Sequence, residues 1–139
     1  MAITTMTQHW KAVTAGTLLL GFAGALIAQA SGLTRQLVTK ADVSVPGREA
    51  VVARVEVAPG AVAGWHTHPG DEISYVMEGE ATLLIAGQPP RQVKAGEGFV
   101  IPAGVVHNAK NDGAAPTKLV GVYVVEKGKP LASPASAPQ

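Results

Sequence analysis

The chain has 139 residues, a length that suits one domain. Eleven Lys and Arg face ten Asp and Glu, and beyond residue 30 the balance is ten to ten, so there is no electrostatic reason to expect nucleic acid as a partner. There is no cysteine, which excludes a disulfide framework and a thiol site and is compatible with an oxidising compartment.

Met1 to Trp10 is polar and Lys11 supplies one positive charge. Ala12 to Ala28 then carries no charge and is rich in Leu, Ala and Gly, and Ala28-Gln29-Ala30 gives small residues around a cleavage point before Ser31. This order is that of a secretory signal peptide cleaved after Ala30, which would make the mature protein periplasmic or secreted. The alternative is an uncleaved N-terminal membrane anchor, although seventeen residues are short for a span.

After Ser31 the pattern turns to short β-type runs. Leu33 to Thr39 reads as an edge strand. Glu49 to Val57 alternates, with Val51, Ala53, Val55 and Val57 on one face and Arg54 and Glu56 on the other, as in a half-buried antiparallel strand. Ala61 to His68, Ile73 to Met77, Ala81 to Ala86, Arg91 to Lys94, Phe99 to Ile101 and Val105 to Lys110 follow as strands. Asn111-Asp112-Gly113 has the form of a hairpin turn. Leu119 to Val125 is apolar on both faces and reads as buried on both sides. The turn signals recur at the spacing of an all-β sandwich or barrel. Three segments result: residues 1–30 as signal or anchor, 31–126 as the β domain, and 127–139 as a disordered Pro/Ala/Ser-rich tail.

The chemistry gathers between Gly60 and Asn111. His66 and His68 are two apart and on a strand would share a face. Glu72 follows Pro69-Gly70-Asp71, a triplet able to turn the chain back beside them, and His107 comes from a distant strand after Pro102-Ala103-Gly104. Three imidazoles and a carboxylate are a usual ligand set for one divalent transition metal. Iron, manganese and nickel are favoured, with cobalt, zinc and copper also able to take such a set. Gly60, Gly79, Gly96 and Gly104 read as turn positions needing positive φ, and Pro102 and Asn111 as turn residues.

Two motifs run through this stretch: G-x5-H-x-H-x3-E-x6-G at Gly60, His66, His68, Glu72 and Gly79, and G-x5-P-x-G-x2-H-x3-N at Gly96, Pro102, Gly104, His107 and Asn111. Both are complete, and on them the chain resembles the cupin family. The resemblance implies a single antiparallel, jelly-roll-like β-barrel holding one metal ion at His66, His68, Glu72 and His107. It also implies a homodimer. It does not choose the reaction, since the family spans several chemistries.

All three histidines beyond residue 30 fall on motif positions, so no imidazole is left for acid–base work. The remaining proton carriers are Glu72, a metal-held hydroxide, Asp71, Glu97, Tyr75 and Tyr123, and Glu72 is the first candidate for the catalytic residue. In the flavonol dioxygenases that the chain resembles, the matching glutamate both binds metal and takes a proton. By alternation Glu72, Ser74 and Val76 face inward and Ile73, Tyr75 and Met77 outward; Trp65, pointing opposite to His66, reads as a packing or interface residue, and Phe99 as lining either the core or the pocket mouth. The motif stretch offers few fixed charges, only Arg91 and Lys94 on a short strand. The lack of an inward arginine argues against a phosphosugar or sugar-nucleotide substrate. The first reading is therefore an exported dioxygenase-type oxidoreductase, quercetinase-like, on a small phenolic or enolic substrate. The alternatives are a non-enzymatic metal- or ligand-binding module and a metal-assisted lyase, decarboxylase or isomerase. A membrane partner enters only if residues 1–30 stay attached.

Overall fold

The computed structural model describes residues 32–139. The expected N-terminal hydrophobic segment and its cleavage point therefore lie outside the described residues. Among the described residues there are ten strands and no helix: β1 Leu33–Asp42, β2 Arg48–Val57, β3 His66–Thr67, β4 Gly70–Glu78, β5 Glu80–Ile85, β6 Arg91–Lys94, β7 Gly98–Ile101, β8 His107–Lys110, β9 Thr117–Glu126 and β10 Ser133–Pro134.

They form two antiparallel five-stranded sheets, ordered β1-β2-β9-β4-β7 and β10-β3-β8-β5-β6. The all-β expectation holds, and the period-2 pattern is the reason. Along β2 the residues Val51, Ala53, Val55 and Val57 are buried, as read from the sequence, and they pack with Leu33, Leu119, Tyr123 and Val125 into one core cluster. Val76, Ala81, Leu83, Val93 and Ile101 form a second. Glu72 pairs with Tyr123 on β9 and with Ile101 on β7, so the carboxylate sits at the seam between the two clusters.

Several strand expectations change in position or partner. Ala61 to His68 is not one strand. Regular pairing covers only His66–Thr67, preceded by a bridge from Val62 to Lys110. Pro69-Gly70-Asp71 is not a turn: Gly70 already opens β4, where an added Cβ would sit 2.0 Å from the Val124 carbonyl oxygen. The chain there crosses from one sheet to the other, and only a glycine fits the crossing. Asn111-Asp112-Gly113 likewise joins two sheets rather than closing a hairpin, since β8 and β9 are not neighbours. Asn111 is buried and donates through Nδ2 to the carbonyls of Val57 and Ala115, while its Oδ1 accepts the Gly113 N–H. It is a turn residue, as expected, and also a clamp between strands. On β9 only one face is fully buried; Val120, Val122 and Val124 are half-buried on the other. Gly60, Gly79, Gly96 and Gly104 all have positive φ, as their motif positions predict.

The Pro/Ala/Ser-rich end, expected from composition to be disordered, instead lies back along the barrel. Ser133–Pro134 pairs with Thr67 and His66, and the Ala135 N–H donates to the Trp65 carbonyl at 2.9 Å. Proline suits this edge position because the N–H it lacks is not needed there.

Candidate metal centre

The two walls of the barrel each bring part of the cluster. His66 and His107 stand opposite one another on β3 and β8, with ring centroids 4.2 Å apart. His68 comes from the crossing just after β3, and Glu72 from β4 in the other sheet. One donor atom from each of the four lies within 4.8 Å of the others, so the group could hold a metal ion. His68, Glu72 and His107 are buried and His66 is half-exposed. The sequence expectation that these four residues meet is therefore met by the geometry, although Glu72 arrives across the barrel rather than by a turn beside the histidines.

The hydrogen bonds fix which ring nitrogen points inward. His66 Nδ1 is 2.8 Å from the Gly64 carbonyl oxygen, His68 Nδ1 is 2.6 Å from that of Leu131, and His107 Nδ1 is 2.9 Å from that of Val105. A carbonyl oxygen only accepts, so each Nδ1 carries the hydrogen and each neutral ring turns a bare Nε2 lone pair to the centre. His68 Nε2 lies 2.9 Å from Glu72 Oε2 and His107 Nε2 lies 3.2 Å from the same oxygen. His68 Nε2 is nevertheless buried without a hydrogen-bond partner. Lone pairs and a carboxylate crowded this closely repel unless a cation lies among them. The donor set thus fits a divalent metal in chemistry as well as in number.

Electrostatics agree with neutral imidazoles around an anion. Burial pushes the His66 imidazole down to about 4, against the pull of the Gly64 carbonyl; the neighbouring rings of His107 and His68 lower it further. At Glu72 burial works upward, but the close His107 and His68 rings and the Ser74 hydroxyl work the other way and hold the carboxyl below the usual range, the rings as donors only where Nε2 takes up a proton in place of a metal. Ser74 Oγ donates to Glu72 Oε1 at 2.6 Å and so steadies the oxygen that the histidines leave free. Tyr123 packs on His68 with ring centroids 4.8 Å apart; burial first, and then the charge of Glu72, push its hydroxyl up to about 12.

The other proposed proton carriers lie elsewhere. Asp71 faces outward and accepts the Ala103 N–H, Glu97 accepts the Lys94 N–H, and Tyr75 is exposed. Phe99 packs against the second core cluster. Trp65, expected to pack away from the site, lines a cavity of about 850 Å³ together with His66.

The expectation of no inward arginine is overturned by Arg35. This residue alternates with Leu33 and Leu37 on the inner face of β1 and lines the same cavity. It lies outside the stretch that carries the two motifs. The L-x-R-x-L alternation at Leu33, Arg35 and Leu37 was the available signal. The contribution of the Leu131 carbonyl had no sequence signal at all, since any residue supplies a carbonyl.

The chain belongs to the cupin family: the model of the cupin domain matches residues 53–125. Nectarin-1 of Nicotiana plumbaginifolia is 38% identical over 99 residues, covering 62% of this chain and 42% of that protein. Germin-like protein subfamily 2 member 2 of Arabidopsis thaliana is 36% identical over 95 residues, with 62% and 43% covered. The chain thus spans less than half the length of these curated relatives. Among solved structures, an oxalate oxidase in complex with the substrate analogue glycolate aligns with a TM-score of 0.59 and 29% identity, over 73% of this chain and 55% of that one.

Proposed function

We propose that the chain is a metal-dependent oxidoreductase of the dioxygenase type, with a small phenolic or enolic substrate. His66, His68, Glu72 and His107 would hold one divalent metal, with iron, manganese or nickel as the working ion. The observation that carries this reading is the set of three Nδ1–H bonds to backbone carbonyls, which aims three lone pairs at one buried carboxylate. Likeness to an oxalate oxidase at 29% identity favours oxygen chemistry over a purely structural ion. The apolar cavity that reaches the cluster at His66 supports a small organic substrate.

A redox metal bound there would supply positive charge to acidify a chelating hydroxyl and a route for electrons to dioxygen. The chain's own part is proton handling and exclusion of water. Glu72 takes the substrate's hydroxyl proton, at the Oε1 that Ser74 holds in place. A phenol or enol suits such a transfer better than an alcohol because its hydroxyl gives up a proton more readily.

The test begins with metal analysis and continues with oxygen uptake on catechols, flavonols and diketones. One equivalent of iron, manganese or nickel and uptake with at least one class is expected. Zinc as the sole occupant, or silence after reconstitution with all three metals, overturns the reading. Glu72→Gln should keep metal while losing turnover, and unchanged turnover would remove the base role.

Export and pairing belong to the same proposal. Removal of residues 1–30 is checked by the intact mass of exported protein. Pairing as a homodimer is supported by the outer face of β4 and β7, where Ile73, Tyr75, Met77 and Val100 are all exposed. Sedimentation of wild type against Tyr75→Glu reads it: the variant should be monomeric.

A further inference from the structure

The cavity beside His66 is larger than the cluster needs and is not electrically neutral. Its walls are mostly aliphatic, from Leu33, Leu37, Val51 and Leu131 among others. Its volume of about 850 Å³ lies in the range that encloses a drug-sized ligand, whereas a two-carbon acid would leave most of it vacant. His66 is the one member of the cluster that is not buried, and it lines this cavity, so the approach to the reacting end runs through it.

Two cations in this wall have no ion pair among the described residues, Lys129 and Arg35; Lys129 is exposed, whereas Arg35 reaches inward to the Tyr123 hydroxyl and keeps a buried nitrogen free. Lys40 and Glu49 also line the cavity but pair with each other at 2.9 Å. Arg35 has no ion pair among the described residues, and its Nε is buried without a hydrogen-bond partner. A buried donor lacking an acceptor works against stability, so it points to a missing acceptor. The guanidinium is also held in place. Its carbon lies 5.8 Å from the centre of the Tyr123 ring, close enough for cation–π attraction. That ring can lie there because residue 121 is glycine: a Cβ would come within 2.6 Å of the Tyr123 hydroxyl oxygen.

We infer that Arg35 is a specificity-determining residue: it pairs with a carboxylate on a flat apolar substrate whose other end reaches the cluster at His66. The inference rests on the reading of that cluster as the reacting end and adds the substrate class, an aromatic or enolic carboxylic acid. A planar guanidinium fork matches a carboxylate with two parallel hydrogen bonds, which a lysine cannot copy. The apolar walls account for the body between the two polar ends, and Trp65 offers it an aromatic surface.

The experiment is calorimetry on the full-length chain loaded with zinc, which binds ligands without turnover. Two probes share a chelating head and differ by one carboxylate: 3,4-dihydroxybenzoate and catechol. Wild type should bind the acid at least tenfold more tightly than catechol. Arg35→Met should bring the acid to the catechol level and leave catechol unchanged, and Arg35→Lys should recover only part of the difference. The melting temperature of Arg35→Met should not fall, since methionine covers the same wall without an unpaired donor. No preference in wild type, or a preference kept in Arg35→Met, overturns the inference and leaves the metal reading intact. If neither probe binds the zinc-loaded protein, the metal reading fails, and 2-naphthoate against metal-free protein then reads Arg35 alone. Binding with a tenfold loss in Arg35→Met supports the inference, while equal binding or none overturns it.

Discussion

The barrel divides into two regions that do different work. Gly60 to Asn111 carries the ligand atoms, and its two ends are tied by the Gly60 N–H donating to the Asn111 carbonyl at 2.8 Å. The flanks, β1 with β2 and the segment after β9, carry the cavity: Arg35, Leu37 and Val51 on one side and Leu131 on the other. The first region has fixed residue types at fixed intervals because a metal demands particular atoms at particular distances. The second needs only apolar bulk and one charge, so its requirements are looser. What the protein holds is therefore set mainly by the first region, and what it accepts mainly by the second, with Trp65 of the first facing the same cavity.

The sharpest way to break this division is to remove a ligand. His107→Ala should lower metal affinity more than a hundredfold, read by competition with a chelator, while β5 and β8 stay paired. A variant that keeps its metal would mean that the cluster is not the holder.

His66 belongs to both regions, and acid should expose that. Its folded imidazole is lowered to about 4 from 6.5, so between these values the unfolded chain takes up a proton that the folded chain refuses. The stabilisation is complete above 6.5 and is lost as pH falls toward 4. At about 1.4 kcal/mol per unit, reduced because the ring is partly open to solvent, the loss is about 1–2 kcal/mol. Urea melts of metal-free protein at pH 7.5, 5.5 and 4.5 measure it, and a flat profile would show a ring open to solvent.

A chain ending at Pro130 tests whether the flank reaches into the centre. It removes the Leu131 carbonyl that accepts from His68 Nδ1, and it removes β10. Metal affinity should fall by about 10- to 100-fold, the usual effect of losing a hydrogen bond behind a ligand. Unchanged affinity would confine the metal to the motif stretch. Gly121→Ala should push the Tyr123 ring from its place and cost about 1–3 kcal/mol, read as a lower melting temperature. Ser74→Ala should have the smallest effect, roughly 1 kcal/mol in stability, with the Glu72 carboxyl becoming easier to protonate.

Legibility in the sequence follows the same division. The four cluster residues and the positive-φ glycines could be read because their identities are chemically forced. The buried face of β2 could be read because alternation is strict there. The crossing at Gly70 does not turn the chain back and the one after Asn111 does not close a hairpin: local residue types specify a bend but not which sheet receives the next strand. Arg35 escaped notice because one arginine between two leucines on an edge strand ordinarily faces water. The final segment was misread because composition reports the lack of a core, not the presence of a strand edge to lie along. Ser133–Pro134 has no core of its own and borrows the edge of β3.

Each histidine ring is oriented by a main-chain oxygen, from Gly64, Leu131 or Val105, and not by a neighbouring side chain. Side-chain substitution at Leu131 or Val105 leaves the oxygen where the backbone path puts it, while Gly64, at a φ of 86°, has to stay glycine. The scaffold is therefore suited to redesign: cavity walls, Leu131 included, could be exchanged for new residues while the imidazoles keep their aim, provided that the path of the chain is preserved.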